Sequence, residues 1–206
     1  MKTIETTLTT QAVFSDDNTK RYLLKKTWDT SLPKLTICML APSIASGVEL
    51  DSTTSLVLNN SSALGFGSVS IVNLFATLGD FTLSAAEAED PENIKAIVDA
   101  CRSADVVIYA PGVGKSKLQA FQERTKQVLE ALRPYSKKLK CLTNASGKAK
   151  LLHPLCPAVR TWNITELSLE ELLPNNNTID TKAATKKKSK PLVTRKEAST
   201  GFVALP

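Results

Sequence analysis

The sequence predicts an α/β protein, a three-layer sandwich in which a mostly parallel sheet is covered by helices on both faces. Three observations carry that expectation. Short, nearly continuous apolar runs recur at residues 35–40, 68–75, 106–110 and 139–142, as in strands buried on both sides. Segments with helical spacing separate them, at 55–64, 91–103 and 115–132. The alternation of strand and helix favours parallel pairing through right-handed crossovers.

Taken in order, residues 1–20 form a polar N-terminal segment, and Arg21–Thr27 is a strand in which Tyr22 and Leu24 alternate with charged neighbours. The run Leu-Thr-Ile-Cys-Met-Leu at 35–40 stops at Ala41-Pro42-Ser43, because proline cannot donate to a sheet ladder. Asp51-Ser52-Thr53 opens the first helix, with Asp51 able to cap it. Residues 68–75 form a strand ending near Asn73, residues 85–91 an acidic loop, and Pro91 starts an amphipathic helix at the position proline tolerates best. The strand at 106–110 leads through Pro111-Gly112-Val113-Gly114-Lys115 into the longest helix, with Leu118, Phe121, Val128, Leu129 and Leu132 at helical spacing. A strand at 139–142, a loop to His153-Pro154, a strand at 158–163 and a short helix at 167–173 complete an α/β domain spanning 21–173. Residues 174–206 read as a Lys-rich disordered tail, too poor in apolar residues to pack.

Charge follows this division. The chain carries +6, but seven Lys/Arg against Asp180 and Glu197 put +5 of it in the tail and leave +1 for the first 173 residues. The tail's Lys186-Lys187-Lys188 is suited to loose attraction to phosphate backbones, yet lacks interleaved aromatics. Cys38, Cys101, Cys141 and Cys156 show neither a Cys-x-x-Cys pair nor metal-ligand spacing. They read as reduced thiols of a cytoplasmic protein with no metal and no cofactor. No stretch approaches the ~18 apolar residues of a membrane span.

Ligands of open parallel sheets gather at the carboxyl ends of the strands. Four turns fall there: 41–51, 73–80, 111–115 and the loop to His153. Gly112 and Gly114 let backbone N–H groups approach an anion at a helix start, with Lys115 beside them. The run resembles a P-loop but has Tyr109 where the first glycine belongs, so it counts as a degenerate P-loop or an ordinary strand-to-helix turn. His153, the sole histidine, is either structural or a general acid/base. Asn73 either caps its loop or reads the hydrogen-bonding edge of a ligand.

In order along the chain, these signals resemble a bacterial and phage family catalogued as domain of unknown function 1643. The matching runs are Arg21-Tyr22-Leu23-Leu24 with Trp28, Met39-Leu40-Ala41-Pro42-Ser43-Ile44-Ala45, Asp51-Ser52-Thr53 and Gly65-Phe66-Gly67. Val72-Asn73-Leu74-Phe75-Ala76, Pro91-Glu92-Asn93, the strand-turn at 106–114, Arg124 and His153-Pro154-Leu155 follow. The family pattern usually has Asn at Ala41 and Trp-Gly at Ala110-Pro111, and these departures imply altered ligand preference or a retired site. A more distant similarity is to the uracil-DNA glycosylase superfamily, which implies a glycosylase-like fold and pocket. On that likeness Pro42, Ser43 and Asp51 line the first loop, Asn73 reads a base, and His153 supports charge on the departing base. Thr53 and Asn93 fall in the matching runs and join Gly112, Gly114 and Lys115 as ligand-binding candidates. Asp51 and His153 are the catalytic candidates. The expected ligand is a nucleobase, nucleotide or nucleic acid, with hydrolysis of an N-glycosidic bond as the activity. The alternative is a non-catalytic nucleotide- or partner-binding accessory protein of a phage or mobile element.

Overall fold

A computed structural model describes residues 1–43, 47–79, 90–115 and 117–173. By its internal contacts the chain divides into Met1–Pro174 and Asn175–Pro206. The tail, most of the acidic loop at 85–91, Ile44-Ala45 and Ser116 lie outside the described residues.

The four apolar runs become the centre of the sheet. They are β3 (Lys34–Met39), β4 (Ser68–Asn73), β5 (Val106–Tyr109) and β6 (Leu139–Thr143), numbered after β1 (Thr9–Phe14) and β2 (Arg21–Thr27). With β7 (Asn163–Glu166) they make one seven-stranded sheet in the order β1-β2-β4-β3-β5-β6-β7. Parallel pairing holds the centre, with Ile37 of β3 opposite Ile71 of β4 and Ile108 of β5. β5 pairs with β6 in the same sense.

The expectation of a mostly parallel sheet is corrected at both edges, and the sheet is mixed. β1 pairs antiparallel with β2, β2 with β4, and β6 with β7. The physical cause at the first edge is a tight turn. Asp17 accepts from the Ser15 and Thr19 hydroxyls and the Thr19 N–H, and Asn18 takes the left-handed conformation at φ 56°. A connection this short can only return the chain antiparallel. β1 itself falls inside the segment read as merely polar. At the other edge the strand expected at 158–163 starts five residues later, because Pro157 opens a 3-10 turn over Pro157–Val159.

Each face of the sheet carries its own core. On one face α2 (Pro91–Ser103) and α3 (Gln119–Ala131) bury Ile97, Cys101, Val128 and Leu129 against Val72, Val107 and Cys141. On the other, α1 (Ser52–Ala63) and the loop after β6 bury Val57, Leu152, Val159 and Trp162 against Ile37, Ile71, Ile108 and Leu142. α1 has a weak apolar stripe and is instead pinned through Asn60. Its amide donates to Leu56 O and Arg160 O, and its Oδ1 accepts from the Trp162 N–H at 3.0 Å. The short α4 (Leu169–Leu172) follows β7.

α3 begins four residues later than the apolar spacing suggests. Gly112 sits at φ +78°, and a turn closed by the Leu118 N–H on Lys115 O at 3.0 Å precedes the helix. The expectation that Gly114 and Lys115 sit on a helix N-terminus is therefore corrected. The first helical residue is Gln119, and Leu118 provides no side-chain cap.

Candidate functional site

The parallel strands β3, β4, β5 and β6 all end on one rim of the sheet. β2 runs the other way, so its first residue, Arg21, arrives at the same rim, where its N–H donates to Ala76 O at 2.8 Å. A cavity of about 400 Å3 opens at the ends of β3 and β5. Ala41, Gly112, Gly114, Lys115, His153 and Cys156 are among the residues lining it, and its walls are mostly apolar.

Gly112 and His153 form one wall. A methyl group on Gly112 would lie 3.1 Å from the His153 Cβ, and the positive φ already disfavours any side chain there. The Leu155 N–H donates to His153 Nδ1 at 3.2 Å. That bond assigns the proton of the neutral ring to Nε2. Burial lowers the His153 pKa below 6.5, while the nearby Asp51 carboxylate pulls it back up. The ring is thus held neutral, as a hydrogen-bond donor, under ordinary conditions.

Asp51 caps α1, accepting from the Thr54 N–H at 2.6 Å through Oδ1. Burial raises its pKa, but the Ser43 hydroxyl, Thr54 and the Thr53 N–H outweigh this and hold it below the ordinary 3.8. Its Oδ2 is buried without a hydrogen bond of ordinary geometry, although the Ser43 hydroxyl lies close by. Pro42 is buried beside Ser43.

Two buried cations from β2 grip the loop that carries Asp51. Arg21 donates from Nη1 to Ser43 O at 3.2 Å and feels the Asp51 charge. Lys26 donates to Gly47 O at 2.7 Å and to Thr10 Oγ1 at 2.9 Å. Both are 1 % exposed. A buried charge is tolerated when several acceptors replace its water, as at Lys26.

Asn73 and Asn93 stand apart from the cavity wall. Asn73 ends β4 opposite Met39 and is 1 % exposed, and its Nδ2 has no partner. Asn93, on α2, donates to Asn73 O at 3.1 Å and Leu74 O at 3.0 Å, while its Oδ1 is left without a partner. Arg124 reaches the same carbonyl, its Nε donating to Leu74 O at 2.7 Å. Asp90 caps α2 and pairs with Lys20 at 2.8 Å, completing a polar knot beneath the rim.

The rim thus brings Gly112, Gly114, Lys115 and His153 to one cavity, with Asp51 in electrostatic reach of His153 and Ser43 and Thr53 beside Asp51. Asn73 and Asn93 share the rim without lining that cavity. Sequence reasoning gave no site role to Arg21, Lys26, Arg124 and Cys156. The signal for Arg124 was its place on the apolar stripe of α3, between Phe121 and Val128. Among the described residues, no group of three or more His, Cys, Asp or Glu is arranged to hold a metal ion, and no helix is long and apolar enough to cross a membrane.

The coupling of His153 to folding has a definite sign. A histidine whose folded pKa is depressed binds its proton more readily once unfolded, so stability is lost as pH falls from about 6.5 through the folded value. Asp51 and Asp90, held below 3.8, lose their contribution only at lower pH still. Thermal melts across both ranges should therefore show an upper acid step that vanishes in His153→Gln. Persistence of that step in the variant would assign it elsewhere.

A family model described as "Protein of unknown function (DUF1643)" matches residues 21–155. No curated protein and no solved structure matches the chain.

Proposed function

The chain belongs to the DUF1643 family, and from that premise we propose that its rim cavity binds a nucleobase-bearing ligand and positions Asp51 and His153 to hydrolyse an N-glycosidic bond. One observation carries the reading: His153, neutral and with Nδ1 taken by the Leu155 N–H, lines a cavity of about 400 Å3 with an ionised Asp51 in electrostatic reach. That volume suits a nucleoside or nucleotide.

The chemistry follows from those two groups. Breaking the C–N bond of a nucleoside sends an electron pair onto the base. A donor fixed where that charge develops stabilises the transition state without reorganising. Nε2 of His153 is such a donor. Asp51 Oδ2, with no ordinary hydrogen bond of its own, would orient the attacking water and take its proton. Gly112, Gly114 and Lys115 would hold a phosphate through backbone N–H groups and a cation. The order of loops resembles that of the uracil-DNA glycosylase superfamily, and this likeness adds support for nucleobase chemistry only as analogy.

A second reading has an observation of its own. Asp51 already caps α1 through Oδ1 and is not among the residues lining the cavity. This favours a binding protein that sequesters a nucleotide without cleaving it, or a partner-binding accessory protein.

Thermal shift against nucleosides and nucleotides, with and without magnesium, separates the readings when paired with an assay for released base. Gly112→Ala should abolish ligand stabilisation, because the added methyl strains the backbone and displaces His153. A ligand that stabilises both proteins equally would place binding elsewhere. Binding without base release would leave the sequestering role.

A further inference from the structure

The two edges of the sheet are built differently. β7 is four residues long and ends in Glu166, which pairs with Lys140. Short length and charge both discourage a further strand from joining. β1 runs six residues as Thr-Thr-Gln-Ala-Val-Phe, and residues 6–15 contain no charge, no proline and no glycine. Among the described residues β2 is its sole strand neighbour. The irregularity of the hairpin lies in β2, where the register passes from Leu23 to Arg21 and skips Tyr22, so β1 itself stays regular. A row of backbone N–H and C=O groups therefore faces outward along a strand with none of the usual edge protections.

The side chains here are as open as the backbone. Leu8, Val13 and Phe14 are exposed. On the α2 side, a cavity of about 300 Å3 separates Ala96 and Asp99 of the helix from Gln11 and Val13 of β1. Alternation along the strand, extended back to Leu8, puts Leu8, Thr10, Ala12 and Phe14 on one face and Thr9, Gln11 and Val13 on the other.

Symmetry decides which partner fits. Opposite residues of an antiparallel pair alternate between hydrogen-bonded and non-hydrogen-bonded. A twofold axis preserves that alternation only when one residue lies opposite its own copy. With Gln11 on the axis, Leu8 meets Phe14 of the second copy, Thr9 meets Val13 and Thr10 meets Ala12, each pair occurring twice. The exposed apolar residues at the two ends then cover each other on one face, β-branched Thr9 and Val13 pair on the other, and no like charges meet along the strand. We infer that β1 is the contact surface for a second copy of this chain, joined antiparallel about a twofold at Gln11, so that the two sheets run on as one. The contact is independent of what the rim cavity binds.

The test uses the full chain. Sedimentation from ~1 to ~100 μM should show a concentration-dependent rise to the mass of two chains. Gln11→Lys sets two ammonium groups against each other on the axis and should weaken the dimer at least about tenfold. Gln11 is exposed, so the circular dichroism spectrum should stay native. Cysteine then reads the register, with the unsubstituted chain as the reference for its own thiols. In air, Gln11→Cys should cross-link to its own copy, because directly opposite Cα atoms stand about 4.5–5.5 Å apart, within disulfide reach. Val13→Cys should not, since its two copies would lie four residues apart along the pair, roughly 13 Å. A chain that stays monomeric across the range, a dimer that Gln11→Lys leaves intact, or Val13→Cys cross-linking as readily as Gln11→Cys overturns the inference.

Discussion

Arg124→Ala should cost the protein about 3 kcal/mol or more, the largest stability loss expected from a single change at the polar knot. The guanidinium is 0 % exposed. It donates to Leu74 O at 2.7 Å, to Asp90 O at 3.4 Å and to Gln127 Oε1 at 3.3 Å. Truncation removes these charge-assisted bonds and leaves a void between α3 and the end of β4. For a unit of this size the loss corresponds to a fall in Tm of about 6–12 °C. Arg124→Met refills the volume without the bonds, so its shortfall measures the hydrogen bonding and its recovery measures the packing. Leu74 O retains the Asn93 amide at 3.0 Å, which keeps the methionine variant folded. Urea melts in which alanine loses less than about 1 kcal/mol would show that Arg124 adds nothing beyond its desolvation cost.

The same knot fixes the backbone where β4 leaves the sheet at the rim. Leu74 O and Asn73 O mark where β4 leaves the sheet, and α2 and α3 each send one side chain to hold that exit. On the other face, β2 sends Arg21 and Lys26 to the loop of Asp51. The site candidates therefore stand on backbone fixed from both layers. This is the usual way a loop-borne site gains the rigidity of its scaffold.

Much of this was legible from residue types. The β3, β4, β5 and β6 runs read as buried strands because both faces are covered, and Pro91 marks the α2 start since its missing N–H is not needed there. β1 was illegible: Thr9–Phe14 is an edge strand whose residues are mostly exposed, with three polar residues followed by three apolar ones rather than an alternation. Strand direction was illegible for a different reason. Local pattern says that β2 and β7 are strands or near-strands, but their partners are fixed by tertiary packing. The start of α3 was misread because Lys115 and Leu118 fit helical spacing, while Gly112 at positive φ and the turn onto Lys115 O delay the first helical bond. At the site, Gly112 and His153 were readable as turn chemistry, but their contact joins residues 41 positions apart and no local pattern reports that. Buried Lys26 ran against composition altogether, since it pairs with a hydroxyl and a carbonyl rather than a carboxylate.

Asp51→Asn isolates charge from architecture. Asparagine caps a helix about as well as aspartate, so α1 should survive with a change below about 1 kcal/mol. The lost charge has two readable effects. Because the Asp51 carboxylate raises the His153 pKa against burial, its removal should lower that pKa further. His153 is the sole histidine, so its ring resonances report the shift without assignment work. If Asp51 Oδ2 takes the proton of the attacking water, base release should fall by about 10²–10⁴-fold, with ligand affinity little changed. Asp51→Ala should show the same chemical loss plus roughly 1 kcal/mol from the missing cap. A histidine that titrates alike in native and Asn proteins would mean that Asp51 and His153 are not coupled. Full turnover in the asparagine variant would move the base to another group on the rim, and unchanged binding with no turnover in either protein would make Asp51 a capping residue in a ligand-holding fold.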